Sequence, residues 1–529
     1  MFATATDHSR ALVDTAEHTL RREVTPWGSF SWGYSDIGAD IFVALGLVLG
    51  AAAGASNIAF LFAGLVYVCV GLAYTELASA YPVAGGGQYF VTRGLGDVFG
   101  FVAGWAVLLD FTIDIVLFAW SCIGYLSHLI PQLAGTVNPW LHFFAILFVI
   151  VGLAALNIIG VRESTAFQGL VSAADVLSES AILFFGFLFA FDPSLLVHTM
   201  QANWPNAFQF MNGISLAIIS FVGLESISQA AQETRRPSAI IPRTSVALIL
   251  TILIFALSYS NLALGMHPWY PVPPDAHGHA QPFFAYLGND QNNDKAVAVL
   301  ASNIPYFGAL AALYVPVLGA ILLLISSNSG VFGASRIAYG MSRARLLPSL
   351  FQRVHPKFRT PAVAIATFCA LAVLVHIWAA LQGAGGLDFL GDLYAFGAAT
   401  SYSLVFLALI ALRFKDVDSP RPFKIPLNIP ILHRGRTVEF PIVGVLGFLG
   451  IFAILIFVLL THDVGRIAGP SWLVLGLCGY LIYRRRKQLP VFRSRSIDWT
   501  AEQIGILRDA GELEMMDEYI ARKRAKTKG

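Results

Sequence analysis

SDIGADIFVALG, residues 35–46, opens the first long apolar run of this 529-residue chain. Two aspartates, Asp36 and Asp40, stand four residues apart where hydrocarbon should begin. The rest of the chain makes that hydrocarbon a bilayer. Its residues are 56% hydrophobic and 12% charged, and the mean hydropathy is +0.67, outside the range of soluble globular chains. Apolar runs of roughly 20 residues recur, each enough to cross ~30 Å of hydrocarbon. They place spans at 37–55, 57–81, 97–128, 140–160, 168–191, 208–230, 244–266, 307–335, 361–382, 388–412, 440–461 and 470–483. That is an all-α membrane protein of about twelve transmembrane helices.

Loop charge orients the spans, because Lys and Arg concentrate on the cytoplasmic side. Loops after even-numbered spans carry Arg93, Arg162, Arg235, Arg236 and Arg243, then Arg343 to Arg359 and Arg413 to Lys424. The long loop after span seven, 267–295, has three aspartates and only Lys295. Both termini are therefore expected in the cytoplasm, in a multi-pass protein of the cell membrane. The expected organisation is 1–30 as an N-terminal segment, 31–485 as the transmembrane domain and 486–529 as a tail. The opening MFATATDHSRALVDTAEHTLRREVTP lacks a signal-peptide core, so the first span is expected to direct its own insertion. In the tail, Ile504, Ile506, Leu507, Leu513 and Met516 have helical spacing. They predict a cytoplasmic helix that rests on the loops or on headgroups.

Acids inside spans cost about 2.5–3.5 kcal/mol each on insertion scales and usually mark a cavity or pathway. This chain places Asp36 and Asp40 in span one, Asp110 and Asp114 in span three, Asp175 and Glu179 in span five, and Glu225 in span six. No Lys or Arg lies inside any of the spans; Arg336 comes nearest, at the cytoplasmic end of span eight. Protons or bound cations must neutralise the acids. Both aspartate pairs have i,i+4 spacing, so in a continuous helix each shares a face and repels. Either one carboxyl keeps its proton or a cation sits between them. Plainer roles stand beside these: Asp36 as an N-cap at the water interface, Asp110 as an acceptor for neighbouring helix ends.

Gly38 and Gly46 in span one, and Gly213 and Gly223 in span six, are placed to break helices and expose backbone groups. Glycine-interrupted spans at matching places in two halves point to a binding site between inverted repeats. The four cysteines, Cys69, Cys122, Cys369 and Cys478, lie in apolar runs without CxxC spacing and read as small core residues. His142 and His376 lack ligand-spaced partners, so no metal is expected. No phosphate-cradling loop is present, so no ATP or other cofactor is expected either. Nor does a nucleophile–base pair stand out, and neither an enzyme nor a nucleic-acid partner is indicated.

YTELASAYPVAGGGQYFVTRGLG (74–96) followed by GFVAGWAVLLDF (100–111) resembles the second-to-third-span signature of the amino acid/polyamine/organocation permeases. FVGLESISQAAQETRRPSAIIPR (221–243) is similar to that family's sixth span and following loop. GASRIAYGMSRARLLPSLFQRVHPKFRTPAVAI (333–365) and SPRPFKIPLNIPI (419–431) resemble its eighth-to-ninth and tenth-to-eleventh junctions. The resemblance implies a LeuT-like five-plus-five inverted repeat with two further helices, working by alternating access. In the family's amino-acid carriers, a small-Gly-Ile-Phe stretch at the first-span break holds the substrate carboxylate on backbone amides. Here IGADIF puts Asp40 in the glycine's place, with Asp36 one turn earlier, which favours a cationic solute.

SDIGADIF also resembles the aspartate-bearing first-span motif of potassium-uptake members, with Asp110 and Tyr394 matching a third-span acid and a tenth-span tyrosine. Val43 and Val222 depart from that pattern, removing two oxygens a hard cation would use. The resulting expectation is a secondary active transporter of a cationic amino acid, polyamine or other small cation. A potassium symporter is the alternative, and a non-transporting sensor on the same fold, signalling through its tail, a further one. Asp36, Gly38, Asp40, Asp110, Asp114, Gly223 and Tyr394 are expected at the solute. Glu179 and Glu225 are the candidates for coupling to a proton, with sodium at Ser326, Ser327 and Asn328 as the other choice.

Overall fold

Helix starts at Pro26, where Thr25 caps the chain by accepting from the Gly28 N–H at 3.2 Å. The computed structural model describes residues 24–83, 85–160, 165–229, 231, 233–275, 278–462, 464–491 and 498–527. Most of the expected N-terminal segment, and Arg162, therefore lie outside the described residues. Span one is longer than its hydropathy suggested: Pro26–Ile37 and, after a break, Asp40–Ala52. Asp36 is consequently no N-cap at the water interface. It lies at the end of the first half-helix, deep in the protein.

Among the described residues, eleven helical runs are long and apolar enough to cross a membrane. The first of them, Pro26–Ala80, holds two crossings that turn at Ala53, where φ is +47°. Twelve crossings result. Span two is Ser56–Ala80, three Asp97–Ser127, four Pro139–Ile159 and five Thr165–Phe189. Span six runs from Ala207–Ala217 through a tight turn at Ile218–Phe221 to the short helix Glu225–Gln229. Seven is Pro237–Gly265, eight Gly308–Arg343, nine Ala362–Leu381, ten Gly386–Lys415, eleven Ile442–Thr461 and twelve Gly465–Arg486. Spans one and six, the first helix of each five-span half, are the interrupted ones, as an inverted repeat requires.

Burial sorts inner from outer helices. The most apolar windows of spans three and ten are 89% and 78% buried, against 22% for spans four and twelve. Trp140, Phe148 and Leu475 on those outer helices are exposed and belong against lipid. Cys478 on span twelve is exposed as well, unlike the core placement expected of it; Cys122 and Cys369 are buried. Between spans ten and eleven the chain makes an antiparallel hairpin, Asn428–His433 with Arg436–Pro441, that periodicity did not foresee.

Both described ends lie on one face. Val24 donates to the Glu233 carbonyl at 3.0 Å and accepts from the Arg235 N–H at 3.1 Å. The tail folds into helices Trp499–Asp509 and Leu513–Thr527, which rest on the loops of that face. Gln503 donates to the Ala80 carbonyl at 2.9 Å, and Ser238 donates to Glu512 at 2.5 Å.

Below the tail, Glu76 is fully buried and accepts from Arg413 at 2.6 and 2.7 Å, from Arg421 at 3.2 Å and from the Ile425 N–H at 2.8 Å. Removing one side of such a buried pair leaves charge uncompensated, at a cost of about 3–5 kcal/mol. Glu76→Ala is expected to lower the unfolding temperature of the detergent-solubilised protein and its yield of monodisperse material. A melting curve unchanged from wild type would show that the cluster does not hold this face together.

Candidate functional site

The helix of span one stops between Ile37 and Asp40. The Gly38 N–H still reaches the Tyr34 carbonyl at 2.7 Å, and Phe42 turns to the Ala39 carbonyl at 3.1 Å in a tighter loop. The carbonyls of Ser35 and Asp36 thereby lose their helical partners. Ser326 of span eight serves both, its hydroxyl 2.9 Å from Ser35 O and 3.3 Å from Asp36 O.

Span six breaks opposite. Val222 is extended, and Gly223 takes φ +110°, a left-handed conformation that side chains resist. A Cβ at Gly223 would lie 3.2 Å from both Asp36 Oδ2 and the Ile37 nitrogen, so the two breaks rest directly on each other. Ser226 donates to Asp36 Oδ2 across the junction. Glu225 Oε2 accepts from Tyr402 at 2.7 Å and from the Gly223 N–H at 3.2 Å, which makes Glu225 a brace for the broken backbone. Gly46 and Gly213 break nothing. Both sit in continuous helix, Gly46 so close to the Asn293 backbone that a Cβ would collide with it.

Asp40 begins the second half of span one and is fully buried, with no hydrogen-bond partner for either carboxylate oxygen. Asp114, Asp36, Asp110 and Glu225 stand near enough to act on its charge, so the structure brings the four aspartates into one region. Asp110 and Asp114 lie on one face of the unbroken span three, each with one buried oxygen unpartnered. The Tyr394 hydroxyl interacts with Asp114, where the sequence placed it beside the acids. The buried ion pairs lie elsewhere, at Glu76, Asp97, Asp416 and Asp392.

A second acid cluster lies next to the first. The Tyr34 hydroxyl, two residues before Asp36, is 2.8 Å from Asp175 Oδ2 and 2.7 Å from Glu179 Oε2. All three residues are fully buried, and the other oxygens of Asp175 and Glu179 have no partner.

The chain from residue 27 to 482 matches the family model described as amino acid permease. It belongs to the amino acid permease family. It is 27% identical over 496 residues to the branched-chain amino acid permease BcaP of Bacillus subtilis (strain 168), covering 89% of this chain and 95% of that protein. Cationic amino acid transporter 9, chloroplastic, of Arabidopsis thaliana is 28% identical over 405 residues, 72% of this chain and 64% of its own. The low-affinity putrescine importer PlaP of Escherichia coli (strain K12) is 24% identical over 378 residues, 70% and 76%. The permease is thus a multi-pass membrane transporter and not an enzyme, in line with its four loop motifs.

Tyr34, Tyr402 and Ser226 were not anticipated as parts of this permease's site. Tyr34 directly precedes the opening stretch 35–46, and its place one half-turn from an acid was the available signal. Tyr402 and Ser226 carry none, because their partners are distant in sequence. Gly223→Ala tests the junction. Backbone strain of about 1–3 kcal/mol adds to the contact with Asp36, so uptake is expected to fall tenfold or more in protein that still inserts. Uptake equal to wild type would show that the breaks need not touch.

Proposed function

We propose that this permease carries a cationic amino acid, a polyamine or a related small organic cation across the cell membrane by proton symport, with both termini cytoplasmic. The observation that carries the reading is Asp40: a buried carboxylate without a partner, at a helix break, among three further aspartates. A cationic solute would supply the missing counter-charge. A solute carboxylate beside Asp36 and Asp40 would instead meet several kcal/mol of repulsion at an effective dielectric near 20. Relatives named as a cationic amino acid transporter and a putrescine importer agree with this.

The Tyr34 cluster supports a proton as the coupling ion. A phenol has one hydrogen, yet Tyr34 makes two short contacts to carboxyl oxygens. One contact takes its hydrogen from Asp175 or Glu179. Sodium at span eight is less well supported, because Ser326 and Ser327 donate to the carbonyls of Ser35 and Ile115 and Asn328 accepts from Asn157. The potassium reading gains no support from the relatives above, which are named for amino acids and putrescine. A branched-chain solute is the competing reading, favoured by the coverage of BcaP.

Proteoliposome uptake separates these. Labelled lysine and putrescine are expected to enter, driven by an inward proton gradient and unaffected by excess leucine. Asp40→Asn and Asp110→Asn should each lower that uptake at least tenfold, and Glu179→Gln should abolish the response to the proton gradient. Leucine uptake without lysine or putrescine uptake would overturn the cationic reading. Removing 494–529 is expected to leave uptake intact; a chain that transports nothing with or without its tail would favour the sensor.

A further inference from the structure

On the face opposite the termini, three spans meet through a chain of polar side chains that the acid pocket does not use. Ser215 lies in the outer half of span six, Asp392 near the start of span ten, and His462 at the end of span eleven. Ser215 is fully buried, and His462 and Asp392 are 3% and 8% exposed. Ser215 Oγ is 2.6 Å from His462 Nε2, and His462 Nδ1 faces Asp392 Oδ1 in a direct ion-pair contact.

Hydrogens can be counted along this chain. Ser215 donates its one hydrogen to the Asn212 carbonyl at 2.7 Å, so the hydrogen between Ser215 and His462 belongs to Nε2. On the other side, an ionised Asp392 carboxyl can only accept, and Nδ1 then carries a hydrogen too. With both nitrogens protonated, the ring is an imidazolium. Asp388, one turn before Asp392, adds a second acid nearby, and span twelve brings Arg466, whose backbone N–H bonds the His462 carbonyl at 3.0 Å. The outer half of span six and span eleven contribute no other charged group.

The position of the chain gives it a consequence for transport. The segment carrying Ser215 runs on through Ile218–Phe221 to the Gly223 break, which rests on Asp36. Beside Asp392, Gly391 is approached by Leu216 and Ile219 of span six and by Leu47 of span one. For solute to reach the acids from this face, those apolar contacts must part, and the polar chain is the fastening between them. A buried ion pair suits that task, because water entering an opened path solvates both charges.

We infer that His462, charged and paired with Asp392, is a positioning residue for transport that clasps the outer half of span six to spans ten and eleven. The inference rests on transport itself and not on the solute, so uptake is read with whichever of labelled lysine, putrescine or leucine the wild type carries. Asp392→Asn and His462→Gln each unbalance the pair by one charge and are expected to lower maximal uptake about tenfold, whereas the double variant, balanced again, should recover to within about threefold of wild type. A Leu216→Cys reporter in each single variant should react faster with a membrane-impermeant thiol reagent from this face than in the wild-type background. Ser215→Ala frees span six while keeping the charges balanced; it guards against misfolding of the single variants and should raise the same labelling. A double variant as impaired as the worse single one would overturn the charge pairing. Wild-type labelling in Ser215→Ala would overturn the clasp.

Discussion

A carboxylate in hydrocarbon needs a counter-charge or a proton, and this permease meets that need for some of its acids and leaves it open for others. Glu76, Asp97 and Asp416 have guanidinium partners at 2.6 to 2.8 Å, all near the face that carries the termini. Near the opposite face, Asp392 has His462. Between them, Asp40, Asp110 and Asp114 keep oxygens without partners inside the protein. Acids that hold the structure together are satisfied where the spans end. Asp40, among those that are not, stands where a helix comes undone.

The breaks make such a meeting feasible. Helical backbone offers no free groups mid-membrane, and its ladder can be interrupted only where something else serves the released amides and carbonyls. Ser326 does so for span one and Glu225 for span six. Glu225 is thus an acid with a structural task, while Asp40, at the same depth and equally buried, has none. That contrast separates a braced acid from one whose oxygens are unmet more firmly than burial or residue type does.

Much of this was legible before any coordinates. Crossings, the termini-facing basic loops and seven of the intramembrane acids follow from hydropathy and charge, since each leaves a local trace in the chain. The first half of span one did not, because PWGSFSWGYSDI is rich in small polar residues and scores poorly as apolar. Glycine proved ambiguous for a physical reason. Gly223 is needed for its positive φ and Gly46 for a close backbone approach, and the letter alone does not tell which. Pairings such as Tyr34 with Asp175, or Ser215 with His462, join residues on different spans and leave no periodic signal.

Span one then connects the two acid clusters. Tyr34 reaches Asp175 and Glu179 from the same half-helix that ends in Asp36, and Asp40 opens the next half. A cation held at Asp40 and a proton held in the Tyr34 cluster would act on one rigid segment at points a few residues apart. No long relay is required for such coupling. If the half-helix Pro26–Ile37 tilts to admit the cation, Tyr34 tilts with it, and its two short contacts cannot both survive the change. The carboxyl that loses its contact also loses a hydrogen bond that favoured its charged form, so it keeps a proton more readily. On the proposed reading, binding at one cluster and a firmer hold on the proton at the other would be two consequences of a single displacement, and reciprocity requires that protonation favour the cation in turn.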